Sequence, residues 1–370
     1  MSILDKNKFY SLKNILTKDA QYNMIFGERS NGKTYAVLEY AIKNYCEKHE
    51  KLAYVRRWQD DFKGKRAPSL FDGHVSNGVI AKYTNNKWTN VHYTGGRWYL
   101  CKYIEEEDKE PKRIVDNEPF AYAFSISSME HDKSTSYPDI TTICFDEFLT
   151  RGMYLPDEFV SFCNVISTIV RYRTNVKIFM LGNTVNRYSP YFTEMGLNNV
   201  PKMNKGDIDV YTYGESGLKV AVEYSDSPNK KKDSDVYFAF DNPKLQMITG
   251  GVWEIDLYPH CPLKYAPKDI IFTYFIIFGN DTLQCEIIQV DDNIFTFIHR
   301  KTTELKDTDH DLIYSTEHCP RYNWKRKLTK PSNNLERRIY NFFATDKVFY
   351  QDNEIGEIVR NYLIWCSNSK

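Results

Sequence analysis

The segment Gly27–Thr34, which reads GERSNGKT, limits the possible folds of this chain more than any other part of the sequence. It fits the phosphate-loop pattern G-x-x-x-x-G-K-[ST]. The apolar run YNMIF before it is typical of a strand, and KTYAVLEYAIKNYCEKH after it has helical apolar spacing. KLAYVRRW then reads as a second strand. These elements form a βαβ unit, so the sequence predicts an α/β fold with a mostly parallel sheet.

The loop itself predicts binding of ATP together with Mg²⁺. Its glycines allow backbone N–H groups to converge on phosphate oxygens at a helix N-terminus. Lys33 would place a positive charge beside the β and γ phosphates, and the Thr34 hydroxyl would ligate Mg²⁺. The alternative, a fortuitous turn, does not explain the flanking strand and helix. The candidate nucleotide-binding residues are Gly27, Glu28, Arg29, Ser30, Asn31, Gly32, Lys33 and Thr34, with Arg56 and Arg57 at the end of the second strand.

Two carboxylates follow a second buried strand, in the segment TTICFDEFL. Asp146 would hold Mg²⁺ with Thr34, and Glu147 would polarise the attacking water. Without the phosphate loop, the pair could equally be solvated loop acids. Another buried strand, in FMLGNT, ends in Asn183, whose amide would either lie near the γ-phosphate or simply turn the chain.

The segment IVRYR contains two arginines, and we expect both to lie at the end of the helix that follows the acidic strand. Arg171 or Arg173 could project to a neighbouring subunit and stabilise phosphate charge there. The alternative is a structural role, because cations are favourable at the C-terminal end of a helix dipole.

The chain is long enough for two domains. Residues 1–225 would form the ATPase domain, with an insertion at about 64–130 whose alternating pattern and turn signals, Asn85-Asn86 and Gly95-Gly96, predict antiparallel hairpins. The polar segment SDSPNKKKDSD falls in a predicted linker, residues 226–247. Residues 248–370 would form an α+β domain. Its predicted strands are Val252–Tyr258, Ile270–Phe278, Gln284–Val290 and Ile294–His299, and its predicted helices lie around Leu335–Phe343 and Ile355–Trp365.

The overall charge gives no reason to expect a nucleic-acid partner, since Lys and Arg together number 49 and so do Asp and Glu. DNA would need a local patch of cations that contacts phosphates without reading sequence. The candidates, which could also be solvated loop residues, are Lys63, Lys65, Arg66, Lys82, Lys87, Arg97, Lys230, Lys231 and Lys232. The apolar runs are too short to span a bilayer. The scattered cysteines are typical of a reduced cytoplasmic protein.

Two weaker hypotheses concern metals in the second domain. The segments PHCP and EHCP suggest zinc, but adjacent His and Cys on a strand point to opposite faces, which argues against a shared ion. A nuclease site would need several clustered acids. Asp256 stands on a predicted strand without convincing acidic partners, so we expect no nuclease activity.

Four segments together resemble the DNA-packaging (encapsidation) ATPases of phi29-like tailed bacteriophages. They are FGERSNGKTYA, YVRRW, YPDITTICFDEF and LGNTVNRYSPYF, and the resemblance covers residues 10–225. It implies an ASCE-type ATPase domain, a linker, and an RNase H-like C-terminal domain without nuclease activity. By position, the residues it assigns are Gly27–Thr34 to the phosphate loop, Asp146 to Mg²⁺, Glu147 to catalysis, Arg171 to the trans-acting arginine and Asn183 to the polar residue after the next strand.

The resemblance also implies partners. Proteins of this kind form a homo-oligomeric ring, a pentamer, on the portal of an empty procapsid and drive double-stranded DNA inward, with a structural RNA in some members. They work in the host bacterial cytoplasm and, transiently, at the portal vertex. This chain departs from the pattern after YVRR, where Trp58–Asp61 contains no lysine, and in its longer insertion.

The leading hypothesis is therefore an ATP-driven motor subunit that moves viral DNA, with ATP hydrolysed at subunit interfaces. The alternative is an ATP-dependent assembly or regulatory switch that does not translocate DNA. A helicase is a third possibility, although the sequence has no convincing single-strand stacking motif.

Overall fold

The predicted strand–loop–helix unit is confirmed. In the computed structural model, β1 ends at Gly27 and α2 begins at Lys33. The structure describes residues 9–106, 109–131, 136–184, 189–214, 216–226, 258–261 and 263–368. The chain divides into two compact units, Met1–Trp253 and Glu254–Lys370. From residue 227 onward, the predicted linker lies outside the described residues.

The first unit is built on one nine-stranded sheet with the order β3-β4-β5-β2-β6-β7-β1-β9-β8. Its strands are β1 (Tyr22–Gly27), β2 (Lys51–Arg56), β3 (Asn90–Thr94), β4 (Arg97–Glu106), β5 (Lys109–Ser125), β6 (Ile140–Asp146), β7 (Lys177–Asn183), β8 (Ile208–Tyr213) and β9 (Leu218–Ser225). The six neighbouring strands β5-β2-β6-β7-β1-β9 pair in parallel, whereas β3, β4 and β8 add antiparallel pairs at the edges. The mostly parallel sheet predicted from the sequence is thus confirmed.

Helices cover both faces of this sheet, which explains why its central strands are apolar along nearly their whole length. The helices are α1 (Lys13–Leu16), α2 (Lys33–Lys48), α3 (Asp72–Ser76), α4 (Val79–Tyr83), α5 (Glu158–Val170) and α6 (Pro190–Glu194). On β2, Val55 belongs to the core cluster shared with α5 and α6, and Tyr54 to the cluster shared with α2. Successive residues of one strand therefore serve opposite faces of the sheet.

The region predicted as a hairpin-rich insertion is partly helical, which corrects one prediction. The segment VIAKY forms α4 instead of a strand, because Val79 and Ile80 are buried in the core cluster that contains α2. Asn85 and Asn86 have φ values of 50° and 62° and follow the end of α4 rather than joining two strands. The turn at Gly95-Gly96 does join β3 to β4, as predicted.

The end of the same region belongs to the main sheet. Residues Ala121–Ser125 of β5 pair in parallel with β2, so β5 extends the sheet beyond the strand that carries YVRR. The strands β3 and β4 then continue it outward as an antiparallel edge. The hairpins are thus directly continuous with the sheet that carries the phosphate loop.

Strand β9, which the sequence analysis did not predict, fixes the start of the phosphate loop. It pairs in parallel with β1, and Ser225 lies opposite Gly27. Gly27 has a φ of 153°, and a Cβ there would meet Ser225 Oγ at 2.4 Å and the Ser225 carbonyl oxygen at 2.7 Å. Only glycine allows the two strands to approach this closely at this point.

The second unit contains a six-stranded sheet in the order β14-β13-β10-β11-β12-β15. Its strands are β10 (Ile270–Phe278), β11 (Asp281–Val290), β12 (Asn293–Arg300), β13 (Ile313–Ser315), β14 (Trp324–Lys325) and β15 (Val348–Tyr350), and its helices are α7 (Asn334–Ala344) and α8 (Asn353–Asn368). Three predicted strands and both predicted helices are confirmed. Of the predicted strand Val252–Tyr258, residues 252–257 lie outside the described residues.

Candidate nucleotide-binding site

A cavity of about 290 Å³ opens where the carboxyl ends of β6 and β7 meet the start of α2. Its lining combines phosphate-loop residues with residues from the two strand ends, namely Ser30, Asn31, Gly32, Lys33, Thr34, Tyr35, Asp146, Glu147, Leu181, Gly182 and Asn183. The carboxyl ends of parallel strands are where ligands bind in open α/β sheets. Most of the predicted site residues are therefore brought together at one edge of the sheet.

The phosphate loop is held in shape by its own side chains and by β9. Asn31 is buried and donates from Nδ2 to Ser225 Oγ at 3.1 Å, while Ser225 Oγ donates to the Phe26 carbonyl at 3.0 Å. Gly32 adopts a left-handed conformation, with a φ of 93°, immediately before the first turn of α2. The loop thus delivers the chain to the helix N-terminus, where N–H groups favour anions.

Lys33 lies within the loop with its ammonium group directed at backbone and amide oxygens. Its Nζ donates to the Glu28 carbonyl at 2.6 Å and to Asn31 Oδ1 at 3.2 Å. Burial lowers the pKa of Lys33 to about 8, against the opposing influence of Asp146 and Glu28. Both of these hydrogen-bond acceptors are neutral, so a phosphate placed here would give the ammonium group a negatively charged partner.

Burial of Lys33 predicts a pH dependence of stability. With a pKa near 8 in the folded chain and 10.5 as its ordinary value, Lys33 binds fewer protons when folded between these pH values. The free energy of unfolding without nucleotide should therefore rise with pH across this window, by on the order of 3 kcal/mol. Urea unfolding of the wild type and Lys33→Met at pH 7.5 to 10.5 tests this. The variant should be the more stable at pH 7.5, and the difference should shrink toward pH 10.5. A constant difference would contradict the prediction.

Asp146, at the end of β6, lies within hydrogen-bonding distance of the last residue of the phosphate loop, Thr34. Thr34 Oγ1 lies 3.3 Å from Asp146 Oδ1 and 3.2 Å from Oδ2, Tyr54 donates its hydroxyl to Oδ2 at 2.8 Å, and Arg56 Nη1 is 3.8 Å from Oδ2. Burial raises the pKa of Asp146, and Arg56, Tyr54 and Thr34 oppose that rise. Tyr54 was not among the sequence-predicted site residues.

Glu147 follows Asp146 directly and is more open to solvent. Its side chain is 58% exposed and accepts a hydrogen bond from Arg56 Nη2 at 2.6 Å. Its backbone has a φ of 60°, which is uncommon for a residue other than glycine and is often found at functional sites. This conformation turns the chain so that consecutive carboxylates lie in different environments.

The two arginines of YVRR lie on opposite faces of the sheet. Arg56, on the face of Tyr54, contacts Asp146, Glu147 and, from Nε at 3.4 Å, Asp61. Arg57 is buried against the other face and donates to Glu158 Oε2 at 2.8 Å.

Arg57 also donates to the carbonyls of Glu147, at 3.1 Å, and Phe148, at 2.8 Å. It therefore supports the backbone behind Glu147. Neither Arg56 nor Arg57 lines the cavity, although the sequence makes both nucleotide-binding candidates.

Two predicted loop residues, Glu28 and Arg29, do not line the cavity. Glu28 pairs with Lys205, with Oε1 3.2 Å from Nζ, and Arg29 is exposed. Asn183, at the end of β7, lines the cavity opposite the loop, in register with Gly27. β7 lies between β1 and β6, so this amide stands between the loop and the two carboxylates.

The two arginines of IVRYR have different surroundings, and both follow the end of α5 rather than lying within it. Arg173 donates to the carbonyls of Pro138, Ile140, Tyr137 and Ile169 at 2.6 to 3.1 Å, which ties the end of α5 to the start of β6. Arg171 is exposed and has a φ of 51°. Because the seven residues of β6 rise about 3.3 Å each, the start of the strand lies roughly 20 Å from Asp146. Since Arg173 ties the end of α5 to the start of β6, Arg171 follows α5 near the ends of the strands that lie opposite to the cavity.

The residues that line the cavity offer the donors that Mg²⁺ prefers. Thr34 and Asp146 supply hydroxyl and carboxylate oxygens side by side, and Mg²⁺ is usually held by one or two such groups together with substrate phosphates and water. The chemistry of this donor set fits a magnesium–nucleotide complex. Bound there, the ion would neutralise charge on the phosphates.

The cations proposed for DNA contact mostly have partners of their own. Lys63 pairs with Asp60 at 2.7 Å, and Arg66 lies 3.7 Å from Asp61. Three others lie over aromatic rings, Lys82 over Tyr83, Lys87 over Trp88 and Arg97 over Tyr122. Lys65 is exposed, and Lys230, Lys231, Lys232 and Asp256 lie outside the described residues.

Two further findings bear on metals and membranes. Within the described ranges, no group of three or more His, Cys, Asp or Glu could hold a metal ion by itself. No helix in the described part of the chain is long and apolar enough to cross a membrane.

Comparison with known proteins identifies the family. A family model described as podovirus DNA encapsidation protein (Gp16) matches residues 4–72 and 105–293, which is more than half of the chain. The chain belongs to the podovirus DNA encapsidation protein family. This confirms the resemblance to phi29-like packaging proteins. Residues 73–104, which lie between the two matched parts, hold most of α3, α4, β3 and most of β4.

Named relatives agree with the encapsidation family. The DNA packaging protein of Bacillus phage B103 is 28% identical over 267 residues, which cover 71% of this chain and 73% of the relative. The DNA packaging protein of Bacillus phage PZA is 24% identical over 283 residues, or 76% of each chain.

Two solved structures resemble this fold over nearly its whole length. The bacteriophage phi-29 viral genome packaging motor assembly has a TM-score of 0.55 at 20% identity, covering 96% of this chain and 97% of that one. The Phi-28 gp11 DNA packaging motor has a TM-score of 0.54 at 17% identity, covering 98% of each chain. At these identities the likeness establishes the fold.

Proposed function

We propose that this encapsidation protein is an ATP-driven motor subunit that translocates double-stranded viral DNA into a procapsid. The observation that carries the proposal is the approach of the Thr34 hydroxyl to Asp146, at 3.2 and 3.3 Å, beside the buried ammonium of Lys33. These are the groups that a phosphate loop and an acidic strand bring together around a magnesium nucleotide. The family and the named DNA packaging relatives supply the work that hydrolysis drives.

In this proposal each side chain at the cavity has a distinct task. The N–H groups of the loop and the Lys33 ammonium bind the β and γ phosphates, while Thr34 and Asp146 hold the metal ion. Glu147 orients the attacking water and accepts its proton. Asn183 lies where an amide can hydrogen-bond to the γ-phosphate or to that water. We assign this unit to the ASCE class, which is supported by the position of β7 between the phosphate-loop strand and the acidic strand.

Arg171 completes the site of a neighbouring subunit in this proposal. Arg171 follows the end of α5, which Arg173 ties to the start of β6, and that start lies roughly 20 Å along the strand from Asp146, so an action in the same subunit is not supported. An arginine supplied in trans stabilises the charge that develops on the transferred phosphoryl group. In this proposal the subunits form a ring, a pentamer by family resemblance, and ATP is hydrolysed where they meet.

The second unit is proposed to be an RNase H-like domain that has no nuclease activity. Its β10, β11 and β12 form an antiparallel meander, and β13 and β14 continue the sheet in parallel beyond β10, an order found in RNase H-like folds. The central strand β10 reads IIFTYFIIF and carries no carboxylate. A two-metal nuclease needs several acids around its ions. The domain would then serve docking or DNA grip.

The remaining assignments are proposals that start from the sequence pattern and the family resemblance. The ATPase domain corresponds to residues 1–225 and the C-terminal domain to residues 248–370, joined by the linker at 226–247. The ring would work in the host cytoplasm, docked transiently on the procapsid portal. A packaging RNA, which takes part in some phi29-like members, is a further candidate partner.

The motor proposal is tested by ATP turnover measured over a range of protein concentrations, with and without double-stranded DNA. We expect turnover per subunit to rise with protein concentration, because the trans arginine needs a neighbour, and to rise again with DNA. The assay is run at two salt concentrations, and the increase in turnover caused by DNA should be smaller at the higher one, since phosphate contacts weaken with salt. If turnover per subunit is constant and indifferent to DNA, the protein is an ATP-dependent switch and the motor proposal is wrong.

A further inference from the structure

Tyr54 connects the nucleotide site to residues 73–104, the segment that the family model leaves unmatched. Its hydroxyl donates to Asp146 Oδ2 at 2.8 Å. Its buried ring makes an edge contact with Trp98, with 6.1 Å between ring centroids and 87° between ring planes. Trp98 belongs to that segment and stands at the start of β4. One side chain therefore contacts both the acidic strand end and the segment.

Trp98 is held firmly enough to support Tyr54. It is fully buried, and its Nε1 donates to the Ala67 carbonyl at 2.8 Å. The rings of Tyr93, Phe71 and Phe62 lie 4.8, 5.9 and 6.3 Å from it. Close packing of this kind leaves a large ring in one rotamer, and aromatic edge contacts add to the stabilisation. Tyr93 packs on Trp98 from within residues 73–104, whereas Ala67, Phe71 and Phe62 precede that segment, and Phe62 also contacts the Tyr54 ring directly at 6.2 Å. The segment itself supports the Tyr54 ring through Trp98.

The two oxygens of Asp146 have unequal surroundings, and Tyr54 contributes to the difference. Oδ2 receives the Tyr54 hydroxyl and faces Arg56, whereas Oδ1 receives the backbone N–H of Glu147 at 3.1 Å. The Thr34 hydroxyl lies within 3.3 Å of both oxygens. Hydrogen bonds to a ligating carboxylate orient it, and loss of such a partner typically lowers metal affinity about 10- to 100-fold.

We propose that residues 73–104, acting through Trp98 and Tyr54, hold the Asp146 carboxylate in the orientation that binds the magnesium ion of the nucleotide. Tyr54 is then a positioning residue, and the segment is a structural part of the nucleotide site. This proposal rests on the proposed ATPase function of the same cavity. It differs from a role of the segment in DNA contact, which needs cations directed outward rather than a buried tryptophan.

The experiment measures Mn²⁺ binding by electron paramagnetic resonance in the presence of the slowly hydrolysed analogue ATPγS. The variants are Tyr54→Phe, which removes only the hydroxyl, Trp98→Phe, which shrinks the supporting ring, and the double variant. Tyr265→Phe is the matched control, because that hydroxyl donates to the carboxylate of Glu286 at 2.9 Å in the second unit. Circular dichroism and thermal unfolding establish that each variant is folded.

We expect Tyr54→Phe to weaken Mn²⁺ binding about 10-fold, while nucleotide binding in the presence of EDTA stays at the wild-type level. Trp98→Phe should weaken Mn²⁺ binding less, and the double variant should bind no worse than Tyr54→Phe. This non-additivity is expected if Trp98 acts through the Tyr54 hydroxyl. Tyr265→Phe should bind Mn²⁺ as the wild type does.

Three other outcomes would overturn parts of the argument. Wild-type affinity in Tyr54→Phe contradicts the positioning role of Tyr54. Weakening in Tyr54→Phe combined with unchanged binding in Trp98→Phe, or with additive effects, contradicts the role of the segment. If the wild type itself shows no Mn²⁺-dependent nucleotide binding, the proposed ATPase function fails, and that result is distinct from the first two.

Discussion

Replacing Glu147 with Gln is expected to lower the rate of ATP hydrolysis by about 10²- to 10⁴-fold, the usual contribution of a general base. The amide keeps the size and polarity of the side chain but cannot accept the proton of the attacking water. Glu147 is 58% exposed and its partner is Arg56, so the substitution removes no buried contact and the fold should persist. Single-turnover hydrolysis, measured beside nucleotide affinity, separates catalysis from binding.

The control for this variant is Glu47→Gln on α2. Glu47 is another half-exposed glutamate that pairs with a cation, in this case Lys43 at 3.9 Å. The Glu47→Gln variant should hydrolyse ATP at the wild-type rate. If Glu147→Gln also retains wild-type turnover while binding ATP normally, Glu147 is not the base and another group must activate the water.

Replacing Arg171 with Ala should abolish turnover in the assembled ring, because an arginine supplied in trans is worth about 10³- to 10⁵-fold in kcat. The same change should matter little in dilute monomer, whose cavity Arg171 cannot reach across the length of β6. Hydrolysis assays of the wild type and the variant at low and high protein concentration measure both effects. Lys43→Ala, which removes an exposed cation from α2, is the control.

A mixing experiment distinguishes a trans arginine from a structural one. Rings made only of Glu147→Gln or only of Arg171→Ala subunits should be inactive. In mixed rings, some interfaces join an intact Glu147 from one subunit to an intact Arg171 from its neighbour, so activity should partly return. Mixed rings that remain inactive would contradict the trans role and would indicate that both residues act within one subunit.

Much of the fold could be predicted because its strongest elements are long and periodic. The helix α2 and the strands β1, β6 and β7 have either clear helical spacing or continuous apolar runs. Within the insertion predicted to form hairpins, the segment VIAKY is helical. Its five residues fit both strand alternation and a single helical turn, and burial of Val79 and Ile80 decides the outcome. The strands β8 and β9 were missed, although VAVEY after Gly217 carries a strand signal.

The parts of the site that are short contiguous motifs could be predicted from the sequence. The phosphate loop and the Asp146-Glu147 pair were located by pattern, and the structure places them around one cavity. The pairing of Tyr54 with Asp146 joins residues 92 positions apart. A period of two along β2 would have put Tyr54 and Arg56 on one face and Arg57 on the other, which was the available signal. No motif in the sequence around Glu158 indicated that its carboxylate would accept a hydrogen bond from Arg57.

The contact between the phosphate loop and Ser225 has a mechanical consequence. Ser225 is hydrogen-bonded to Asn31 and to the Phe26 carbonyl, and it is also the last residue of β9, where the chain leaves the sheet for the segment that precedes the second unit. A loop that tightens around phosphate or relaxes after its release must therefore displace, or be resisted by, the point where that segment is attached. Nucleotide binding and tension on the chain that follows Ser225 would then act on the same loop geometry. Tension on that chain should therefore change the affinity of the loop for nucleotide.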